Sequence, residues 1–346
     1  MATQLPLLPA DREEWRELEQ YPRGARFYQL AAQHLLNSPA STHMAFWSVN
    51  PYIGCEFGCS YCYARDTHRY AVERATQSGA RPRSLPLLPA AESFERHILV
   101  KRNAAALLER ELRTHALDGA SLVIGSATDP YQPAERVHGI TRALLGVLAA
   151  HAGLAVEIIT KSPLIVRDVP LLQRLGERNA LRVHLSIASV HRRIVRRLEA
   201  RSPAPAARIR ALAALRAAGI DAGVLIAPIV PGITDSWHDL ALLFEAARQA
   251  GATHVVGSAL RLGPAARRNF LPQLAREFPA LVQRYAHAYA GQEQAPHVYQ
   301  RALAERLDHL CTRFGFPPEA RHLRPGAAQK AFTGPRHPME SQLHLI

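Results

Sequence analysis

Three of the chain's four cysteines fall in one eight-residue stretch, Cys55-Glu-Phe-Gly-Cys59-Ser-Tyr61-Cys62. Three thiolates spaced Cys-x3-Cys-x2-Cys on a tight loop could hold a metal centre. No fourth ligand lies close by in sequence, so one coordination position would stay open to a group that is not protein. An open position on a metal is where chemistry happens, as opposed to structural stapling. A zinc site is the competing reading, with His68, six residues past Cys62, as a fourth ligand. Against it, the partner Cys/His pair of a zinc knuckle or finger is missing.

Net charge is +13, from 42 basic and 29 acidic residues. A basic surface favours anionic partners such as DNA, RNA or phosphorylated metabolites. Lys101, Lys161 and Lys330 are the only lysines. In so arginine-biased a chain, a lysine inside a motif marks a place where a compact point charge is wanted. The clustered cysteines suit a reducing cytosol and a metal site better than a disulfide framework. The N-terminal residues lack the basic and apolar regions of a signal peptide. No apolar run reaches the roughly 18 residues of a membrane span. The expectation is a cytoplasmic protein with no membrane partner.

The elements that must position the cysteines follow from periodicity. Residues 1–45 read as an N-terminal helical accessory segment, with helices over 11–20 and 27–36. Phe46 to Ile53 reads as a strand entering the cysteine loop. Further strands are expected at 121–125, 154–160, 181–187, 221–227 and 253–257. Helices are expected between them at 135–150, 168–175, 206–218 and 236–250. Strands alternating with glycine-ended helices predict right-handed βαβ units and a parallel sheet. The expected fold is α/β, a partial (β/α)6 TIM-type barrel over 46–262. C-terminal helices over 263–316 would pack on it, ahead of a tail over 317–346. Function in such a barrel sits at the carboxyl ends of the strands. The cysteine loop, Ser126 to Glu135, Thr160-Lys161-Ser162, Ser186, Ala227 to Gly232 and Arg261 all fall at those ends.

With Tyr61 before its last cysteine, this motif resembles that of the radical S-adenosylmethionine (SAM) superfamily. Asn50-Pro-Tyr-Ile-Gly-Cys55, Cys62-Tyr-Ala-Arg65, Val100-Lys101, Thr128-Asp-Pro-Tyr-Gln-Pro, Arg167-Asp168 and Ala227-Pro-Ile-Val-Pro-Gly232 narrow the likeness. Together they look like the spore photoproduct lyase-like branch, often labelled DNA repair photolyase. The resemblance implies that Cys55, Cys59 and Cys62 ligate a 4Fe–4S cluster whose fourth iron takes SAM. Reductive cleavage would then give a 5′-deoxyadenosyl radical that abstracts hydrogen from a substrate. It further implies that Tyr61 lies beside the adenine and that Ser126 and Thr128 receive the methionine amino group. Lys161 would pair with the carboxylate, Ser186 would contact the ribose or carboxylate, and Ile226 and Pro228 would flank the adenine. A reductant such as flavodoxin or ferredoxin is implied as a partner.

One departure matters. True spore photoproduct lyases carry a hydrogen-donating cysteine where this chain has Ser126. A hydroxyl O–H bond is far stronger than a thiol S–H bond, so serine cannot replace it. Tyr63 and Tyr131 are candidate radical relays or substrate contacts. Arg192, Arg193, Arg196 and Arg197 share one helical face, readable as a phosphate-binding surface or as a solvated face. Glu199 could order the site through an arginine or form an ordinary ion pair. Asp129 could be catalytic or could brace its loop. Cys311 reads as a small core hydrophobe or as a hydrogen donor. Two rival readings of function remain: a non-catalytic iron–sulfur or zinc protein that binds nucleic acid, and a radical SAM enzyme acting on a peptide or small metabolite.

Overall fold

The strands divide between two sheets, and the cysteine loop begins where the chain passes from one to the other. In the computed structural model, residues 16–20, 24–42, 44–68, 90–115, 117 and 119–317 are described. In chain order the strands are β1 (Arg16–Gln20), β2 (Arg26–Leu30), β3 (Leu36–Asn37), β4 (Trp47–Val49), β5 (Tyr52–Ile53) and β6 (His97–Lys101). They continue as β7 (Ser121–Ile124), β8 (Ala155–Thr160), β9 (Ala180–Ser186), β10 (Ala222–Ile229) and β11 (Val255–Ala259).

The larger sheet is ordered β11-β10-β9-β8-β7-β4-β3. Its six strands β4 and β7 to β11 run parallel, and β3 adds antiparallel to the β4 edge. Helices Ile140–Ala150, Val169–Arg178, Pro205–Ala217 and Trp237–Gln249 carry the chain between successive strands from β7 to β11. This is the expected α/β architecture, with six parallel strands in an open barrel.

The helices form where apolar residues recur at helical spacing. Leu240, Leu243, Phe244 and Ala247 of Trp237–Gln249 are buried, and the Ser236 hydroxyl caps the helix by accepting from Asp239 N–H at 3.0 Å. Burying each such leucine or phenylalanine contributes about 1.5–3 kcal/mol. The single helix expected over 135–150 is broken at Gly139, whose φ of 61° is left-handed. The Glu135 carboxylate then caps the second piece, accepting from the Thr141 and Arg142 amides at 2.9 and 3.1 Å.

The smaller sheet, ordered β1-β2-β6-β5, corrects the expectation of an N-terminal helical segment. Residues 16–20 and 26–30 are strands, with β2 held between antiparallel β1 and parallel β6. The remainder of the expected first helix, 11–15, lies outside the described residues. Phe27, Tyr28 and Leu30 are all buried. A central strand covered on both faces reads as a short apolar run, and Phe27 with Leu30 mimics helical i, i+3 spacing.

The strand expected over 46–53 is two strands in different sheets. Asn50-Pro51 separates them, because proline cannot continue a ladder as a donor. The expected C-terminal helices are present as Pro264–Glu277, Val282–Ala288 and His297–Phe314. Phe270, Leu274, Tyr285 and Tyr289 of this region join Cys55, Phe57, Cys59, Tyr61 and Phe94 in a second apolar cluster. The cysteine loop therefore has a core of its own. Residues 69–89 and the tail over 318–346 lie outside the described residues.

Candidate active site at the strand ends

Each turn of the cysteine loop is tied to a neighbour. Gly54 takes a φ of 92°, and a Cβ there would meet the Phe94 carbonyl at 2.7 Å, so the chain can pass only as glycine. The Cys55 amide then donates to that carbonyl at 2.9 Å. Cys59 forms an antiparallel bridge with Glu199, and the Ser60 amide donates to Leu198 O at 2.9 Å. The buried Arg65 guanidinium donates to Cys59 O at 3.1 Å and pairs with Glu95 at 2.8 Å. Asn269 from the C-terminal helices donates to Ser60 O at 2.7 Å.

The three thiols line one cavity of about 140 Å³ at the carboxyl ends of the parallel strands. Tyr61, Tyr63, Ser126, Thr128, Lys161, Ser186 and Pro228 line it too. Ile226 and Tyr131 do not. Side chains alternate along β10, so Leu225 and Ala227 reach the cavity while fully buried Ile226 faces the outer core. Tyr131 is buried near Asp168 and Glu135, whose negative charges add to desolvation in pushing its phenol pKa well up. Of the two candidate tyrosines, only Tyr63 reaches the cavity. Its side chain is part-exposed, and its phenol donates to the Ser126 carbonyl.

Several wall residues are committed to the scaffold. The Thr128 hydroxyl donates to Gly54 O at 2.6 Å and accepts from Gln132 Nε2 at 3.0 Å. Gln132 also receives the Glu56 amide at 2.9 Å, so the turn after β7 grips the start of the cysteine loop. Ser126 Oγ accepts from Asn50 Nδ2 at 3.1 Å. Asp129 accepts from Tyr131 N, Thr160 Oγ1 and Lys161 N at 2.9, 2.7 and 2.7 Å, a bracing arrangement. Sequence reasoning missed Asn50 and Gln132 as braces, although both lie in motifs it singled out. It also missed Arg208, which looks like any arginine of an Ala/Leu/Arg helix.

The charges concentrate on one side. Lys161 Nζ donates to Ser186 Oγ at 2.6 Å, and its ammonium lies 6.0 Å from the centre of the Tyr61 ring. Burial works against the Lys161 charge, yet Glu199 and Cys59 outweigh it and its pKa is raised. Glu199 is fully buried, and burial alone would raise its carboxyl. Arg208 and Lys161 reverse this and hold it at about 2. The Tyr61 phenol donates to the same carboxylate.

Burial pushes the Cys55, Cys59 and Cys62 thiols up. Thiolates at these positions need a compensating metal charge, and three convergent thiols are the donor set of a 4Fe–4S cluster with one iron open. Among the described residues no group of three or more His, Cys, Asp or Glu side chains is disposed to hold one ion. His68 is turned away to the His97 carbonyl at 3.0 Å.

Residues 49–244 match the profile of the radical SAM superfamily. The chain belongs to the radical SAM superfamily. It is therefore a radical SAM enzyme, of a class that uses a 4Fe–4S cluster and SAM and needs an electron donor. An uncharacterized protein of Mycobacterium tuberculosis is 34% identical over 293 residues, spanning 84% of this chain and 82% of its own. One from Methanocaldococcus jannaschii is 28% identical over 198 residues, spanning 57% of this chain and 66% of its own. The superfamily fold is also seen in a spore photoproduct lyase variant, with a TM-score of 0.58 at 14% identity over 83% of this chain and 79% of that one. A second lyase variant, solved with AdoMet and a dinucleoside spore photoproduct, gives 0.54 over 78% and 74% at 14% identity. No helix among the described residues is long and apolar enough to cross a membrane.

Proposed function

We propose that this enzyme cleaves SAM in the strand-end cavity and directs the hydrogen abstraction at a nucleic-acid substrate. The observation that carries the reading is the single cavity shared by Cys55, Cys59, Cys62 and Lys161. In this reading the three cysteines hold the cluster, which when reduced supplies the electron that opens the sulfonium. Lys161 binds the methionine carboxylate as a point charge, with Ser186 beside it. The turn at Ser126 faces the amino group, while Thr128 fixes the loop through Gly54. Tyr61 and Pro228 flank the adenine, with Leu225 and Ala227 beside them in place of Ile226. An electron carrier of the flavodoxin or ferredoxin kind feeds the cluster.

The nucleic-acid reading is supported by charge. Arg192, Arg193, Arg196 and Arg197 are all exposed on the helix Arg192–Leu198, whose C-cap is Glu199, the buried partner of Lys161. Arg196 donates to Ala200 O, and Arg197 pairs with Glu277 at 3.5 Å. Arg261, half-exposed, stands in the cavity wall. A lyase of the same fold is solved with a dinucleoside photoproduct. With Ser126 in the wall, hydrogen return by a thiol at that position is closed, and Tyr63 is the proposed hydrogen donor or substrate contact.

Anaerobic holoenzyme, dithionite, SAM and deuterated oligonucleotides supply the test. The expected result is 5′-deoxyadenosine carrying deuterium, with turnover that weakens as salt rises. A full cluster in Cys55→Ala, or no 5′-deoxyadenosine at all, would overturn the chemistry. Deuterium drawn only from peptides or small metabolites would overturn the substrate class.

A further inference from the structure

The buried charges behind the cavity are not matched one to one. Glu199 and Arg208 both have fully buried side chains, and they pair directly. The Glu199 carboxylate also accepts from the Tyr61 phenol and from the Ser202 hydroxyl, the latter at 2.7 Å. Lys161 Nζ makes only a long ion pair with Glu199 Oε1, at 3.8 Å and beyond hydrogen-bond reach. Its ammonium donates instead to the neutral Ser186 hydroxyl at 2.6 Å. Asp129, a carboxylate that does line the cavity, takes the Lys161 backbone N–H at 2.7 Å. Two cations thus face one carboxylate, and Arg208 is the one that holds it.

We propose that Arg208 is a positioning residue: by occupying Glu199 it keeps the Lys161 ammonium free for the carboxylate of SAM. The inference rests on the reading of Lys161 given above. The remaining donors of Arg208 lock it in that task. They reach Ser186 O at 2.8 Å, Pro203 O at 2.9 Å and Ser202 Oγ at 2.6 Å. A planar fork with five donors can meet all of these at once, which a lysine cannot. Without Arg208, a buried carboxylate left unpaired would draw in the nearest cation, because charge attraction is strong where water is excluded. Lys161 need move little to reach it. SAM would then compete with an internal carboxylate, and its apparent affinity would fall in proportion to the time Lys161 spends there.

The test is the dissociation constant for SAM of reconstituted holoenzyme, measured by anaerobic equilibrium dialysis in four variants. Lys161→Met checks the underlying reading, and unchanged binding there overturns both it and the inference. Given a loss in Lys161→Met, Arg208→Met should weaken binding about tenfold. Adding Glu199→Gln to Arg208→Met should restore it to within about threefold of wild type, since no carboxylate is left to capture the ammonium. Wild-type binding in Arg208→Met, or a double variant as weak as the single one, overturns the inference alone. Should Arg208→Met fail to fold, Glu199→Gln by itself still decides. Binding within about threefold supports the inference, and a loss of about tenfold overturns it. A second readout needs no turnover. Labelling the lysine ε-carbon gives signals from three lysines only, and the Lys161 signal should shift in Arg208→Met and return in the double variant.

Discussion

The Thr128 hydroxyl donates to the Gly54 carbonyl across 2.6 Å, one residue ahead of the first cysteine. The turn after β7 therefore sets where the cysteine loop begins. Thr128→Val keeps the shape and removes the donor, leaving Gly54 O to Gln132 Nε2 at 3.2 Å. The expected loss of stability is about 1 kcal/mol, read from urea unfolding. Iron should also leave the reconstituted protein faster when a chelator is added, and wild-type release would contradict the role.

Gly125 lies where β7 gives way to the strand-end turn, with a φ of 95°. A Cβ there would sit 2.5 Å from the Ile159 carbonyl and 2.6 Å from Pro130 Cδ. Neither neighbour is the end of a flexible side chain. Gly125→Ala should lose about 3 kcal/mol or more, combining steric overlap with backbone strain. Thermal unfolding checks this, and an unchanged midpoint would refute it.

Burial lowers the His68 pKa from 6.5 to about 4. The unfolded chain takes up the proton first as pH falls. The stabilisation is therefore complete above pH 6.5 and is lost as pH drops from there toward 4. By about pH 5 the loss from this one group is about 2 kcal/mol. Between pH 7 and pH 5 the urea midpoint should fall further for wild type than for His68→Phe, because the variant escapes this loss. Parallel lines across the range would show that His68 contributes nothing to the slope.

Cys311 is 1% exposed in the main core, on the helix His297–Phe314. Cys311→Ala should remove about 1 kcal/mol of stability through lost packing. Iron and sulfide content should stay at the wild-type value. A fall in either would assign this thiol to a metal centre and not to the core.

Much of this was legible because the signals were local. The cysteine spacing and the strand–helix alternation survive in a linear reading, as do Lys161 and Ser186 at strand ends. The second sheet was not legible, since β2 pairs with β6 from some 70 residues away and its two-sided burial erases the alternation that marks a strand. Ile226 is one position out of phase with Leu225 and Ala227, which line the cavity, and one position is enough to turn a side chain to the opposite face. Arg208 was invisible because its importance lies in a buried partner, Glu199, and not in any motif of its own.

Asn50 and Pro51 are all that lies between β4 in one sheet and β5 in the other, and Cys55 follows two residues after β5. The first thiol thus sits just past the crossing from one sheet to the other. Phe27, Tyr52, Ile98 and Val100 of the smaller sheet share a buried core with Val49, Leu122 and Ile124 of the larger one, so the same packing that joins the sheets also fixes where the thiol loop starts.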